Sequence, residues 1–247
     1  MGSSRFIALV CAGALIAPAL ALRGHRLGPR PAVVLWAWER PVDLRGLPAG
    51  AGVAFLAQTI TVSDAAHVIS PRRQPLRVDP ATYLVAVTRV EAPGTVPAQR
   101  DEIAAIAAAI ARTRALPGVR GVQVDFDARV SQRPMYRQLL HDLRAALPGD
   151  VPLSMTALAS WCLDDNWLDD LPVDEAVPML FRMGPTEEMH RREFQSRLSA
   201  PACRRAIGLS LDERSGIHVF RGTRLYVFNP GPWTSDTVRV AAQEAER

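Results

Sequence analysis

The chain has 247 residues, 48% of them hydrophobic, which suits one barrel-sized domain with a sizeable core and excludes wholesale disorder. All 29 basic residues are arginine and the net charge is +4. The arginines are scattered and no run of them alternates with aromatics, so no nucleic-acid partner is expected.

The first predicted element is a targeting segment. Arg5 precedes the apolar run Phe6–Leu22, and Ala19-Leu20-Ala21 within it fits a small-x-small cleavage site. Residues 1–21 therefore read as a signal peptide, with an uncleaved inner-membrane anchor over residues 6–22 as the rival, since the run has the length of a short span. Cys11 follows Val10, where a lipidation motif has a small residue. The expected location is periplasmic or extracellular, with contact to a membrane only through this segment if it stays uncleaved. Residues 22–31, rich in Arg, Gly and Pro, read as a linker, and 32–247 as a single domain, expected to be a monomer.

From residue 32 onward, apolar β-branched runs recur, each closed by a polar or charged residue. Eight are predicted as strands: Ala32–Glu39, Gly52–Val62, Tyr83–Glu91, Val119–Asp127, Val151–Trp161, Val173–Arg182, Ala206–Asp212 and Arg224–Asn229. Near-continuous apolar runs suit parallel strands covered on both faces. Helical patterns lie between or after several of them, at Gln99–Arg114, Pro134–Leu147, Thr186–Leu198 and Thr234–Glu246. Residues 63–82 carry little helical signal, so the second strand is expected to run into a hairpin or loop. The fold class is α/β, a (β/α)8 TIM-type barrel with a thin or incomplete helical ring. An open doubly wound sheet is the alternative. It lacks its glycine-rich loop after the first strand, where the chain reads Trp38-Glu39-Arg40-Pro41.

The sharpest motif lies in the fourth run, Gly121-Val122-Gln123-Val124-Asp125-Phe126-Asp127. Strand alternation puts Gln123, Asp125 and Asp127 on one face and Val122, Val124 and Phe126 on the other. The strand should end with two carboxylates pointing into the barrel mouth. Two such close charges resist joint ionisation, which is one way to keep a general acid protonated. The structural alternative is that both simply pair with Arg89 or Arg182.

This strand resembles the signature strand of the chitinase-type (family eighteen) glycosidases, Asp-Gly-x-Asp-x-Asp-x-Glu. Gly121 matches the Gly, Gln123 falls on the second acidic position, Asp125 matches the third, and Asp127 falls on the catalytic Glu. The sixth run, ending Met179-Leu180-Phe181-Arg182, resembles that family's Met-x-Tyr-Asp. As a whole the chain is similar to bacterial barrel proteins known only as a domain of unknown function, a resemblance that implies a fold and no activity. The glycosidase resemblance implies hydrolysis of N-acetylhexosamine links with the substrate's own acetamido group as nucleophile. Asp127 for Glu, Phe181 for Tyr and Arg182 for Asp remove parts that this mechanism needs, so a chitinase is not expected.

Further carboxylates sit at predicted strand tips: Glu39, Glu91, Asp212 and Glu213. Glu39 or Glu213 is the expected partner of Asp127, at about 5 Å for a retaining and about 6.5–9.5 Å for an inverting hydrolase. The bland reading of these groups is salt bridges and loop charges. Gln123, Arg182 and Arg89 are expected to orient substrate, and Trp38 and Trp161 to stack on sugar rings; Trp36 and Trp233 lie at or near the same tips, and Trp167 in a loop beyond the fifth strand. No cofactor or metal is expected, because His25, His67, His141, His190 and His218 show no ligand spacing, and Gly208-Leu209-Ser210-Leu211-Asp212 lacks the final glycine of a nucleophile elbow. Cys162 and Cys203 either form a disulfide, if the protein is exported, or remain two buried thiols. Two functional readings follow. One is an exported glycoside hydrolase acting on a polysaccharide or glycan. The other is a barrel that has lost catalysis and binds glycan or an envelope partner.

Overall fold

The computed structural model describes residues 31–63, 66–94, 99–163, 165–196, 200–213 and 222–244. The expected targeting segment, nearly all of the linker, His25 and His218 lie outside these residues. In chain order the strands are β1 (Val33–Ala37), β2 (Val42–Leu44), β3 (Ala51–Val62), β4 (His67–Pro71), β5 (Leu76–Val78), β6 (Tyr83–Glu91), β7 (Val119–Asp125), β8 (Leu153–Leu158), β9 (Glu175–Met179), β10 (Ala206–Ser210) and β11 (Arg224–Phe228). The helices are α1 (Arg100–Arg112), α2 (Arg133–Ala146), α3 (Ala159–Leu163), α4 (Glu187–Ser196) and α5 (Ser235–Glu244).

Eight parallel strands close into a barrel in the order β1, β3, β6, β7, β8, β9, β10, β11, and β11 returns to β1. That closure excludes the open sheet. Both faces of these strands are covered, and all five residues of β1 are buried, which is why they read as unbroken apolar runs. The helical ring is thin. Among the described residues no α-helix lies between β1 and β6. There β4 folds back antiparallel on β3, as the weak helical signal predicts, and β2 pairs with β5 in a small separate sheet that was not predicted.

On the outer face of β7, Val122 and Val124 and, just past its end, Phe126 pack with Ile103, Ile106 and Ile110 of α1 and Tyr136, Leu139, Leu140 and Leu143 of α2. The spacing of these helical residues puts them on one stripe of each helix. α2 opens with Pro134 in its first turn, where a missing N–H costs nothing. Inside the barrel, Val34, Trp36, Ala54, Val85, Val87, Val177, Ala206 and Tyr226 form an apolar plug. At its base the Tyr226 hydroxyl donates to Glu175 at 2.7 Å, and Arg224 pairs with the same carboxylate.

Trp36 crosses the interior because Gly208 of β10 leaves room for it. A Cβ at that position would stand 2.8 Å from the indole Cη2 and 3.1 Å from Cζ3. Gly208→Ala is therefore expected to displace the ring at a cost of about 1–3 kcal/mol, more than the ~0.4–1 kcal/mol gained from a stiffer unfolded chain. Urea unfolding reads the effect as a lower midpoint; an unchanged midpoint means the indole has room to move.

Candidate active site

The inward face of β7 is a ladder of polar groups that rises from the plug to the mouth. Gln123 accepts the Trp36 Nε1–H at 2.9 Å and donates from Nε2 to Ser154 of β8 at 3.0 Å. It is fully buried and braces the floor, so it does not contact substrate from the cavity wall. One step up, the buried Asp125 accepts from the Thr156 hydroxyl at 2.8 Å and from Arg89 Nη1 at 3.0 Å. Asp127, exposed, follows just past the strand end. Both faces of this stretch are as alternation predicts.

Above this ladder opens a cavity of about 460 Å³, within the usual size range of small-ligand sites. Asp125, Asp127 and Arg89 line one side, and Arg182, Thr186 and His190 another. Trp36, Trp38, Phe181 and Phe228 supply an aromatic surface. Phe181 and Phe228 stack at 5.6 Å with 9° between their planes, and Trp36 meets Phe181 edge-on at 6.3 Å. Among the described residues no group of three or more His, Cys, Asp or Glu is arranged to hold a metal.

Burial pushes the Asp125 carboxyl above its ordinary value, against the pull of Arg89 and Thr156, and the neighbouring Asp127 adds to the rise. Burial alone would lower the Arg89 guanidinium, but Asp125, Glu91 and Asp127 together hold it more firmly charged. The direction that prevails at Asp125 is the upward one, because it loses nearly all its water while Arg89 shares its charge among three carboxylates. The consequence for stability has a definite sign. Unfolded Asp ionises near its ordinary value of 3.8, while folded Asp125 keeps its proton to higher pH. Between those values the folded state binds more protons, so stability falls as pH rises and stays lower above the window. Measured by urea unfolding, wild type should lose stability relative to Asp125→Asn as pH climbs from about 3 to about 7. Parallel curves would mean that Asp125 titrates normally.

Several predicted site residues are placed elsewhere. The fifth predicted strand stops at Leu158, and the turn into α3 swings Trp161 out of the mouth. Its ring instead meets Trp167 edge-on at 4.8 Å, with the Arg133 guanidinium over both indoles, in the outer layer. Glu39 accepts the backbone N–H groups of Arg73 and Gln74 at 2.9 and 3.0 Å, tying down the chain after β4, and is not part of the cavity wall. Glu213 likewise turns away from the wall. Both its oxygens accept the Arg182 N–H at 3.1 Å, and Arg191 pairs with it at 3.3 Å. Neither of these two is therefore positioned as the partner carboxylate of Asp127. Trp233 sits outside the plug and donates to the Trp36 carbonyl.

Sequence reading missed Thr156, Thr186 and His190. Thr156 is legible after the fact, since it falls on the inward parity of β8. His190 and Thr186 reach the cavity because the chain between β9 and α4 leans across the mouth, and no spacing rule marks that. Arg182 starts this crossing in the left-handed region, at φ 55°. For a residue with a side chain that conformation costs about 1–3 kcal/mol and concentrates at functional sites.

The DUF3142 match falls on the same half of the barrel. Residues 79–178 match the family described as Domain of unknown function (DUF3142). The matched segment runs from β6 into β9 and carries Arg89, Asp125, Asp127 and Thr156. No curated protein matches the chain. Among solved structures, the chain is similar to the Bacillus cereus spore cortex-lytic enzyme SleL, with a TM-score of 0.47 and 14% identity over 89% of this chain and 59% of that one. The chain thus spans less than two thirds of that protein's length.

Proposed function

We propose that this barrel binds a glycan in the cavity above β7 and hydrolyses a glycosidic bond there, with Asp127 as the acid. The observation that carries the reading is the stacked pair on β7. Asp125 is buried and holds a proton above the ordinary carboxylate range, and Asp127 is its exposed neighbour on the cavity wall. In this reading Asp127 gives a proton to the leaving oxygen, and the buried Asp125 beneath it tunes the pair. Trp38 and Phe181, both half-buried in the cavity wall, supply aromatic faces for sugar rings. The cavity's carboxylates come from one strand end only, so a nucleophilic carboxylate on the opposite wall is missing among the described residues.

The test is incubation of the full chain with a panel of bacterial and plant polysaccharides, followed by mass analysis of the products. New reducing ends support the reading. Binding without product supports a second one, a glycan-binding barrel without turnover, which the one-sided carboxylates and Phe181 favour. Export is part of the proposal. The Cys162–Cys203 disulfide supports it, because such bonds persist in oxidising compartments.

A further inference from the structure

Arg182 is built into the cavity wall with more constraint than a surface arginine needs. Its backbone sits at φ 55°, and its N–H is gripped by both oxygens of Glu213, which Arg191 anchors in turn. Its guanidinium lies over the Phe228 ring at 5.2 Å, and that ring is stacked on Phe181. The nearest carboxylate contact of the guanidinium among the described residues is Asp212, at 3.6 Å. Asp212 is itself held by the Ser210 hydroxyl, the main cause of its lowered pKa. So loose and exposed a pair contributes little to stability and does not account for a strained backbone. What the strain, the Glu213 grip and the Phe228 platform achieve together is to fix a planar cation at the cavity edge. His190, also in the wall, places its Nδ1 3.3 Å from the Thr186 hydroxyl and gives the same side a second hydrogen-bonding group.

The opposite side is acidic but largely spoken for. Asp125 is bound by Arg89 and Thr156, which leaves Asp127 as the exposed carboxylate there. Arg182 follows β9 and Asp127 follows β7, with β8 between them. Two strand spacings separate them, about 10 Å.

We propose that the glycan this cavity takes is a carboxylated one, its carboxylate received by the Arg182 guanidinium while its ring lies on the aromatic surface. The proposal rests on the glycan-binding reading above and names its substrate class. Arginine suits the task because its planar fork matches a carboxylate in two parallel hydrogen bonds.

The experiment uses the full chain and an array in which each carboxylated oligosaccharide is paired with its carboxyl-reduced, neutral counterpart. Wild type should bind at least one acidic member about tenfold or more tightly than its partner, the scale of one charge-assisted pair. That preference should shrink as salt rises. Arg182→Gln should abolish the preference, and Arg182→Lys should keep only part of it, as a charge without the fork. Neutral members bound as well as their acidic partners by wild type would overturn the proposal and leave the glycan reading standing. Binding of no member of either kind would overturn both. If Arg182→Gln fails to fold, judged by its unfolding midpoint, the paired comparison and salt series on wild type decide alone.

Discussion

Asp127→Asn is expected to lower the proposed glycan hydrolysis by about 10²–10⁴-fold, with glycan binding little changed. The substitution keeps the shape of the side chain and removes only its ability to give and take a proton. Asp127 is exposed at the mouth, so the fold should register little of the change. Asp125→Asn tests the other half of the pair. It removes the group that burial keeps protonated to higher pH, and it leaves Arg89 facing an amide instead of an ionisable carboxyl. Turnover by wild type should fall as pH rises through the raised Asp125 value, because the pair loses its proton there. In Asp125→Asn that limb of the profile should move. Equal turnover in wild type and Asp127→Asn would remove the acid role from this residue. Binding that survives in both, without product in either, would establish the barrel as a glycan receptor.

The eight barrel strands were legible because each is buried on two faces and so is continuously apolar; Tyr83–Glu91 was placed at both ends. The fifth was overrun because α3 is also apolar, and five residues are too few to show a helical period. The three-residue strands β2 and β5 fall below any pattern. The acidic end of β7 was legible through a single rule, side-chain alternation, which put Gln123, Asp125 and Asp127 on one face. That rule sees parity and not height, so it could not tell that Gln123 stops below the cavity. The roles of Glu39 and Glu213 were hidden for a different reason. Each accepts backbone N–H groups from a segment distant in sequence, Arg73 and Gln74 in one case and Arg182 in the other. A carboxylate at a strand tip looks the same in sequence whether it faces a substrate or clamps a loop.

Replacing both Cys162 and Cys203 with Ala is expected to cost about 4 kcal/mol of stability at 25 °C, the chain-entropy value for a loop of this length. The two residues are 41 apart in sequence, and their Cα atoms stand 5.9 Å apart, inside the range a disulfide spans. On sequence grounds the bridge faces an objection, since Cys162 follows the end of one strand and Cys203 precedes the start of another. The stagger of the barrel removes much of that distance. Leu158 at the end of β8 is in register with Met179, and Gly208 of β10 pairs with the same Met179. Ala206, where β10 begins, therefore stands about level with Val177 and Thr156, near the top of β8 and not at its base. The turn into α3 then carries Cys162 outward over β9, and the 3-10 turn Pro201–Arg204 brings Cys203 against the same strand. Both sulfurs end fully buried in the outer core with Ala176 and Ala200. Ala suits the test better than Ser, because a buried hydroxyl there would add a cost of its own. For a domain of this size the loss corresponds to a Tm lower by roughly 8–16 °C. The urea m-value should rise as well, because the unbridged chain unfolds to a more open ensemble. An oxidised wild type that unfolds at the same temperature as the double variant would mean that the bridge does not hold the native barrel together.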